Sequence, residues 1–222
     1  MSRICAISDI HGDLSLLHKV KEYIEANNIA DLILMGDYSS SIGNLDENRE
    51  DIKSIVNTIG EDANLYAVPG NCDALDSLKI LRSFGIDYHN KAVRIGDYTV
   101  LLYGGSNPTP FGTPWEVEEG IIRKDLEKLF FEHPEGRHLL IVHTPPKNTS
   151  CDMIPSGVHV GSEAVRQIIE KFSPEIVLCS HIHECAGRTD TIGKSEIINV
   201  GMLKQGNFAE ISPEGAEHKT LE

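Results

Sequence analysis

Asp9-Ile10-His11-Gly12-Asp13 is the stretch on which the reading of this chain turns. It follows Ile4-Cys5-Ala6-Ile7, a short apolar run that reads as a buried strand. In extended chain, residues two apart project to the same side, so Asp9 and His11 are expected to aim together from the strand's end. Strand ends are where open α/β sheets place their ligands. A carboxylate beside an imidazole suits a divalent transition metal. Alone, the pair reads equally well as a turn in which Asp9 caps the next helix. The decision rests on what else the chain supplies.

Working outward, residues 14–26 carry Leu14, Leu16, Leu17, Val20 and Ile24 near helical spacing, with Asp13 as N-cap. Asp31-Leu32-Ile33-Leu34-Met35 reads as a second buried strand, ending in Gly36-Asp37-Tyr38. Leu65-Tyr66-Ala67-Val68 reads as a third, ending in Pro69-Gly70-Asn71-Cys72-Asp73. Helices are expected through Ile52, Ile55, Val56 and Ile59 and over residues 75–84, which predicts a βαβαβ core with parallel strands. Residues 92–101 read as a hairpin about Gly96-Asp97, and residues 115–131 as a helix. Leu139-Leu140-Ile141-Val142 is a fourth core strand, ending in His143-Thr144-Pro145-Pro146. Residues 147–160 have little periodicity and are a candidate cover for a site. A helix from Gly161-Ser162, a strand Ile176-Val177-Leu178-Cys179 ending in Ser180-His181-Ile182-His183, a hairpin about Gly193 and a strand over residues 207–211 complete the pattern. With no repeat or linker in view, residues 1–222 are expected to form one domain.

Charge excludes some functions. Lys and Arg number 20 against 34 Asp and Glu, a formal net charge of −14, and no Lys/Arg-rich run is present. A groove for long nucleic acids would bring a basic stripe. Small anionic substrates remain open, because bound cations would reverse the local field. No apolar run approaches the ~20 residues that cross a bilayer. Met1-Ser2-Arg3-Ile4 leads straight into the first strand, so no signal peptide is expected. Five cysteines (Cys5, Cys72, Cys151, Cys179, Cys185) without CxxC spacing suggest neither a disulfide framework nor a zinc ribbon, and the expected setting is cytoplasmic.

Ligand-type residues thus stand at the ends of five apolar strands: Asp9 with His11, Asp37, Asn71, His143, and His181 with His183. The spacing of His181 and His183 is again that of a strand face. Singly, such residues are common turn or structural positions. Together they offer three oxygen donors and four imidazoles. That is too many for one tetrahedral ion but suits two ions sharing a carboxylate, ~3.5–4 Å apart.

In order and spacing, from Ser8 to Asn199, the series Asp9-x-His11, Gly36-Asp37, Gly70-Asn71-Cys72-Asp73, His143 and His181-x-His183 resembles the calcineurin-like metallophosphoesterases, nearest their small prokaryotic phosphodiesterase-like branch. The resemblance implies an α/β fold of two mixed β-sheets packed as a sandwich flanked by helices. It also implies hydrolysis of phosphodiesters, and of monoesters as a further option, by attack of a metal-bound hydroxide. It makes Asp9, His11 and His183 ligands of one divalent ion, Asn71, His143 and His181 ligands of a second, and Asp37 the bridge. Asp37, Asn71 and His143 are the residues it implicates in catalysis. Manganese is the first expectation for the metal, with iron, nickel, cobalt or zinc also compatible. The expected partners are a small phosphate ester and, as an option, further copies of this chain.

Three positions depart from the family pattern. Cys72 stands where many members carry a histidine that protonates the leaving oxygen. Ser40 stands where phosphoprotein phosphatases carry the aspartate that orients that histidine, and Ser180 replaces a glycine, a change expected to be tolerated. Cys72 is accordingly expected to neighbour the substrate and to fill space rather than supply a proton. Two other functions are weighed: an inactive scaffold binding a protein partner, and a dinuclear hydrolase of non-phosphate esters. The scaffold predicts lost ligands, whereas all seven ligand positions are filled.

Overall fold

The computed structural model describes residues 3–221. Met1 and Ser2, on which the expectation of an N-terminus without a signal peptide partly rests, lie outside the described residues, as does Glu222. The first half of the chain runs β1 (Ile4–Ile7), α1 (Leu17–Asn27), β2 (Asp31–Leu34), α2 (Leu45–Ile59), β3 (Asn64–Ala67) and α3 (Ser77–Ser83). It continues with β4 (Lys91–Ile95), β5 (Tyr98–Tyr103), α4 (Glu119–Glu132), β6 (Arg137–Val142) and α5 (Glu163–Phe172). The last strands are β7 (Ile176–Cys179), β8 (Thr189–Ile192), β9 (Ser195–Asn199), β10 (Asn207–Ser212) and β11 (Gly215–Thr220).

Two mixed sheets result. The first has the order β11-β10-β1-β2-β3 and the second β4-β5-β6-β7-β9-β8. β1, β2 and β3 are parallel, in register from Ile4↔Asp31 to Ile7↔Leu34. β5, β6, β7 and β9 are parallel in the second sheet, and antiparallel β4 and β8 close its edges. The strands' continuous apolar runs are explained by burial on both faces. On β1, Ile4 and Ala6 enter the core between the sheets with Met35, Val100, Leu139 and Leu178, while Cys5 and Ile7 pack with Val20, Ile24, Ile52 and Ile55 of α1 and α2. The far face of the second sheet packs α4 and α5 through Leu126, Phe130, Val165 and Ile169. The order of layers is helices, sheet, sheet, helices. The expected sandwich is correct.

The carboxyl ends of the two sheets meet, and this positions the site. Gly105 N donates to Pro69 O at 2.8 Å, and His143 Nδ1 lies 2.8 Å from Met35 O. Within the first sheet, the loops after β2 and β3 approach each other through glycine. A Cβ on Gly36, where φ is +97°, would fall 2.0 Å from Gly70 N.

Several expectations need correction. α1 begins at Leu17 with Leu16 at its N-cap, and Asp13 instead accepts bonds from Ser15 N at 3.2 Å and Ser15 Oγ at 2.6 Å. α3 starts at Ser77 rather than at residue 75. α4 starts at Glu119 rather than at Trp115, because residues 115–117 pair with Ser106 in extended chain. β11 was not expected from the sequence: it is an edge strand, mostly half-buried, without apolar alternation. Residues 147–160, which lack periodicity, are built round buried Asp152. Its carboxylate accepts from Asn148 N (3.1 Å), Thr149 N (2.8 Å) and Gly161 N (3.0 Å), and it pairs with His159 Nδ1 at 2.6 Å.

The Gly36 contact yields a stability test. Gly36→Ala should destabilise the fold by roughly 3 kcal/mol or more, because a strained φ and an overpacked contact add. Gly112→Ala has the same sign of φ but nothing within 4 Å of its Cβ. It should cost only about 1–2 kcal/mol. Urea unfolding of both variants checks the contrast; equal losses would contradict it.

Candidate metal centre

The motif residues are not aimed by strand alternation. β1 ends at Ile7, and Asp9 and His11 lie beyond it with φ of 49° and 47°. Asp37 (φ 55°) follows β2, and His181 (φ 66°) follows β7. The expectation of extended backbone at Asp9/His11 and at His181/His183 is therefore wrong. The side chains converge because the backbone turns left-handed at Asp9, His11, Asp37 and His181, a conformation costing roughly 1–2 kcal/mol per non-glycine residue. Hydrogen bonds to the next loop hold it: Asp9 N to Gly36 O (3.1 Å), His11 N to Asp37 O (2.9 Å) and Gly12 N to Tyr38 O (2.8 Å). On the second sheet, Ser180 N donates to His143 O at 2.9 Å.

Residues from all five strand ends come together. Among the described residues, Asp9, His11 and His183 form one group of donors close enough to hold a metal ion, and Asp9, Asp37 and His143 form another. His183 Nε2 is 2.9 Å from Asp9 Oδ1 and 3.3 Å from His11 Nε2. Asp9 belongs to both groups, and Asp37 of the second also lies near the first, its Oδ2 3.7 Å from His11 Nε2 and 3.6 Å from His143 Nε2. Asn71 Oδ1 lies 3.0 Å from His143 Nε2, and the rings of His143 and His181 are 5.3 Å apart. Carboxylate oxygens and imidazole nitrogens in this arrangement fit divalent transition metals. His143 adds a further sign of fit. Its Nδ1 faces the Met35 carbonyl, so that nitrogen donates and the neutral ring keeps Nε2 free for a metal.

The family model for calcineurin-like phosphoesterases matches residues 2–185. The chain belongs to that family. An uncharacterized protein of Methanocaldococcus jannaschii, MJ1162, is 32% identical over 208 residues, covering 89% of this chain and 87% of its own length. Among solved structures, TT1561 of Thermus thermophilus superposes with a TM-score of 0.77 at 18% identity, over 100% of this chain and 99% of its own. A dimetal phosphatase from Danio rerio has a TM-score of 0.65 at 13% identity, over 99% of this chain and 98% of its own. These structural likenesses establish the fold. The family makes the protein a metal-dependent phosphoesterase.

The phosphoesterase buries two carboxylates here, with Asp9 0% and Asp37 2% exposed. Burial alone would raise both, but bonds from His11 and His183 hold Asp9 well below the usual carboxylate range, and His143 lowers Asp37. Burial disfavours charge on His143 too, yet Asp37 and then Asp9 override it and push the ring up to about 9. Burial and the neighbouring His143 charge bring His181 down to about 4. In the metal-free protein, a proton on His143 thus offsets part of the carboxylate charge.

Several supporting residues gave no signal in the sequence. Buried Asp73 takes Asp37 N (2.9 Å), Tyr38 N (2.9 Å) and Gly70 N (2.7 Å), tying the second and third strand ends together. Burial and then Asp37 raise its carboxyl to about 7. Thr113 Oγ1 accepts from Asn71 Nδ2 at 3.0 Å and donates to Glu116 Oε1 at 2.9 Å, which turns the Asn71 oxygen toward His143. Asn199 Nδ2 lies 3.2 Å from both Ser180 O and Ile182 O, pinning the His181 turn. Only Asp73 lies within a motif; the others reach the centre through long-range contacts. At the departures, Cys72 N donates to Asp37 Oδ1 at 2.8 Å, and burial followed by Asp37 pushes its thiol far up. Ser40 Oγ donates to Glu47 at 3.2 Å.

These shifts fix the sign of a pH effect in chelator. The His143 pKa is raised from 6.5 to about 9, so its stabilising proton is fully present below 6.5 and lost as pH rises through 9. The stake is on the order of 3 kcal/mol. His181, lowered to about 4, acts oppositely and disfavours the fold below 6.5. Metal-free protein should therefore melt lower at pH 9 than at pH 6.5, with the drop reduced in His143→Gln. Thermal melts in chelator read this, and a melting temperature that rises from pH 6.5 to 9 would contradict it.

Proposed function

We propose that this phosphoesterase is a dinuclear enzyme that hydrolyses small phosphodiesters carrying good leaving groups. The observation that carries the reading is the position of Asp37 Oδ2, 3.6 Å from His143 Nε2 of its own donor group and 3.7 Å from His11 Nε2 of the first. In this reading Asp9, His11 and His183 hold one ion, Asn71, His143 and His181 hold the second, and Asp37 is shared. Two divalent ions, manganese first among them, supply Lewis acidity and a nucleophile at neutral pH. The chain's own residues orient that centre. Met35 O fixes the His143 tautomer, Thr113 turns the Asn71 amide, and Asp73 holds the Asp37 backbone. The fold likeness to a dimetal phosphatase supports the two-ion reading.

The leaving-group preference follows from position 72. A general acid is typically worth ~10²–10⁴-fold. Cys72 is half-buried and its thiol is shifted upward, so it is a poor proton donor beside Asn71. Exposed apolar side chains on loops that follow strands also favour an aryl group. Of seven exposed large apolar residues, Ile42, Leu75, Phe111, Met153 and Val158 lie on loops following strands, and only Ile121 and Phe131 lie on α4. Thr113, two residues beyond Phe111, touches Asn71 directly. Net charge of −14 disfavours long nucleic acids as substrates. No described helix is long and apolar enough to cross a membrane, and the free cysteines support a reducing, cytoplasmic setting.

The test is a leaving-group series with manganese added, alongside chelator. Aryl phosphodiesters should turn over, chelator should abolish the activity, and rates should fall steeply as the leaving alcohol becomes less acidic. Cys72→Ala should change little. A flat wild-type dependence that Cys72→Ala steepens, with about a hundredfold loss on alkyl esters, would make Cys72 the acid and overturn this assignment. Asp37→Ala should lower activity more than His183→Ala, since the reading shares Asp37 between both ions. Comparable residual rates would argue against the bridge.

A further inference from the structure

The two oxygens of Asp9 face different surroundings. Oδ1 looks toward the imidazoles, 2.9 Å from His183 Nε2 and 3.7 Å from His11 Nε2. Oδ2 accepts a hydrogen bond from the Ser180 hydroxyl, and His181 N lies 3.4 Å from it. Ser180 is the residue at which the sequence departs from the family's glycine, and its side chain does more than fill space. It is 0% exposed and follows β7 directly. Its backbone is held on both sides: N donates to His143 O at 2.9 Å, and O accepts from Ile182 N at 2.7 Å and Asn199 Nδ2 at 3.2 Å. The hydroxyl therefore reaches Asp9 from a fixed platform.

We propose that Ser180 is a positioning residue that pins Asp9 Oδ2 and so presents Oδ1 alone to the ion held by His11 and His183. A carboxylate free to rotate could offer either oxygen, or both, and lose order whenever the ion leaves. Pinned at Oδ2, Asp9 is preorganised as a one-oxygen ligand with its second oxygen already satisfied. Partners of this kind orient metal ligands and typically alter affinity by ~10–100-fold. The hydroxyl acts through Asp9, which the reading above assigns to the ion held by His11 and His183. Ser180 touches Asp9, whereas Asn71 and His143 are oriented by Thr113 and Met35. A glycine at this position would leave Oδ2 with only the long contact from His181 N.

The inference rests on the dinuclear reading above, and the experiment separates the two. Manganese is titrated calorimetrically into chelator-stripped wild type, Ser180→Gly and Ser180→Ala, with metal-free melting temperatures measured in parallel. Wild type should bind two ions. Both variants should bind one ion as wild type does and the other roughly 10–100-fold more weakly, the range expected for a ligand's orienting partner. Unchanged affinities at both sites, or equal weakening of both with a lowered melting temperature, would overturn the positioning role and mark Ser180 as ordinary packing. Wild type binding fewer than two ions would overturn the dinuclear reading itself. Ser180→Gly also guards against a folding artefact, since it adds no bulk at a fully buried position.

Discussion

Two carboxylates held out of water at the meeting of two sheets are the constraint on which the structure depends. Burying an ionised carboxylate costs several kcal/mol unless positive charge or hydrogen bonds compensate it. Asp9 and Asp37 receive both: imidazoles at the faces turned toward each other, and Ser180 Oγ and Cys72 N at the opposite oxygens. Each carboxylate thus has one oxygen fixed by the protein and one turned to the centre. The rest of the fold can be read as the means of holding that division. Parallel strands deliver the loops to one edge, and left-handed turns swing the ligands inward. The Gly36–Gly70 contact lets two loops approach closely enough to share the Asp73 carboxylate.

Much of this was legible in the chain because the strands are buried on both faces and read as unbroken apolar runs. Ile4-Cys5-Ala6-Ile7 and Ile176-Val177-Leu178-Cys179 coincide with observed strands, and the ligand types at their ends mark the site. What failed was the reason given for convergence. A period-two argument places Asp9 with His11 and His181 with His183, yet positive φ at Asp9, His11 and His181 is what brings them in. The chain carries only a weak signal of this: Asp and His are enriched among left-handed non-glycine residues, yet such residues remain uncommon. Nor could local patterns find Thr113 or Glu116, whose relevance depends on a loop from the second sheet reaching Asn71. β11 escaped for the opposite reason, being too little buried to carry a hydrophobic signature.

The departures from the family pattern are chemically coherent when taken together. Position 72 carries no imidazole and position 40 no carboxylate, and Ser40 is engaged with Glu47. Ser180 moves the other way, adding a donor to a metal-side carboxylate where glycine would offer none. In the proposed enzyme, order is thus concentrated on the ions rather than on proton delivery, and the substrate must bring a good leaving group.

The central claim is that Asp37 joins two ions in one centre. Its most direct measurement is the anomalous scattering of a manganese-soaked crystal of the chelator-stripped protein. The account predicts two peaks ~3.5–4 Å apart, the spacing of a two-metal hydrolytic site, with the Asp37 carboxylate between them. A single peak at full occupancy, or two peaks of which only one touches Asp37, would contradict it.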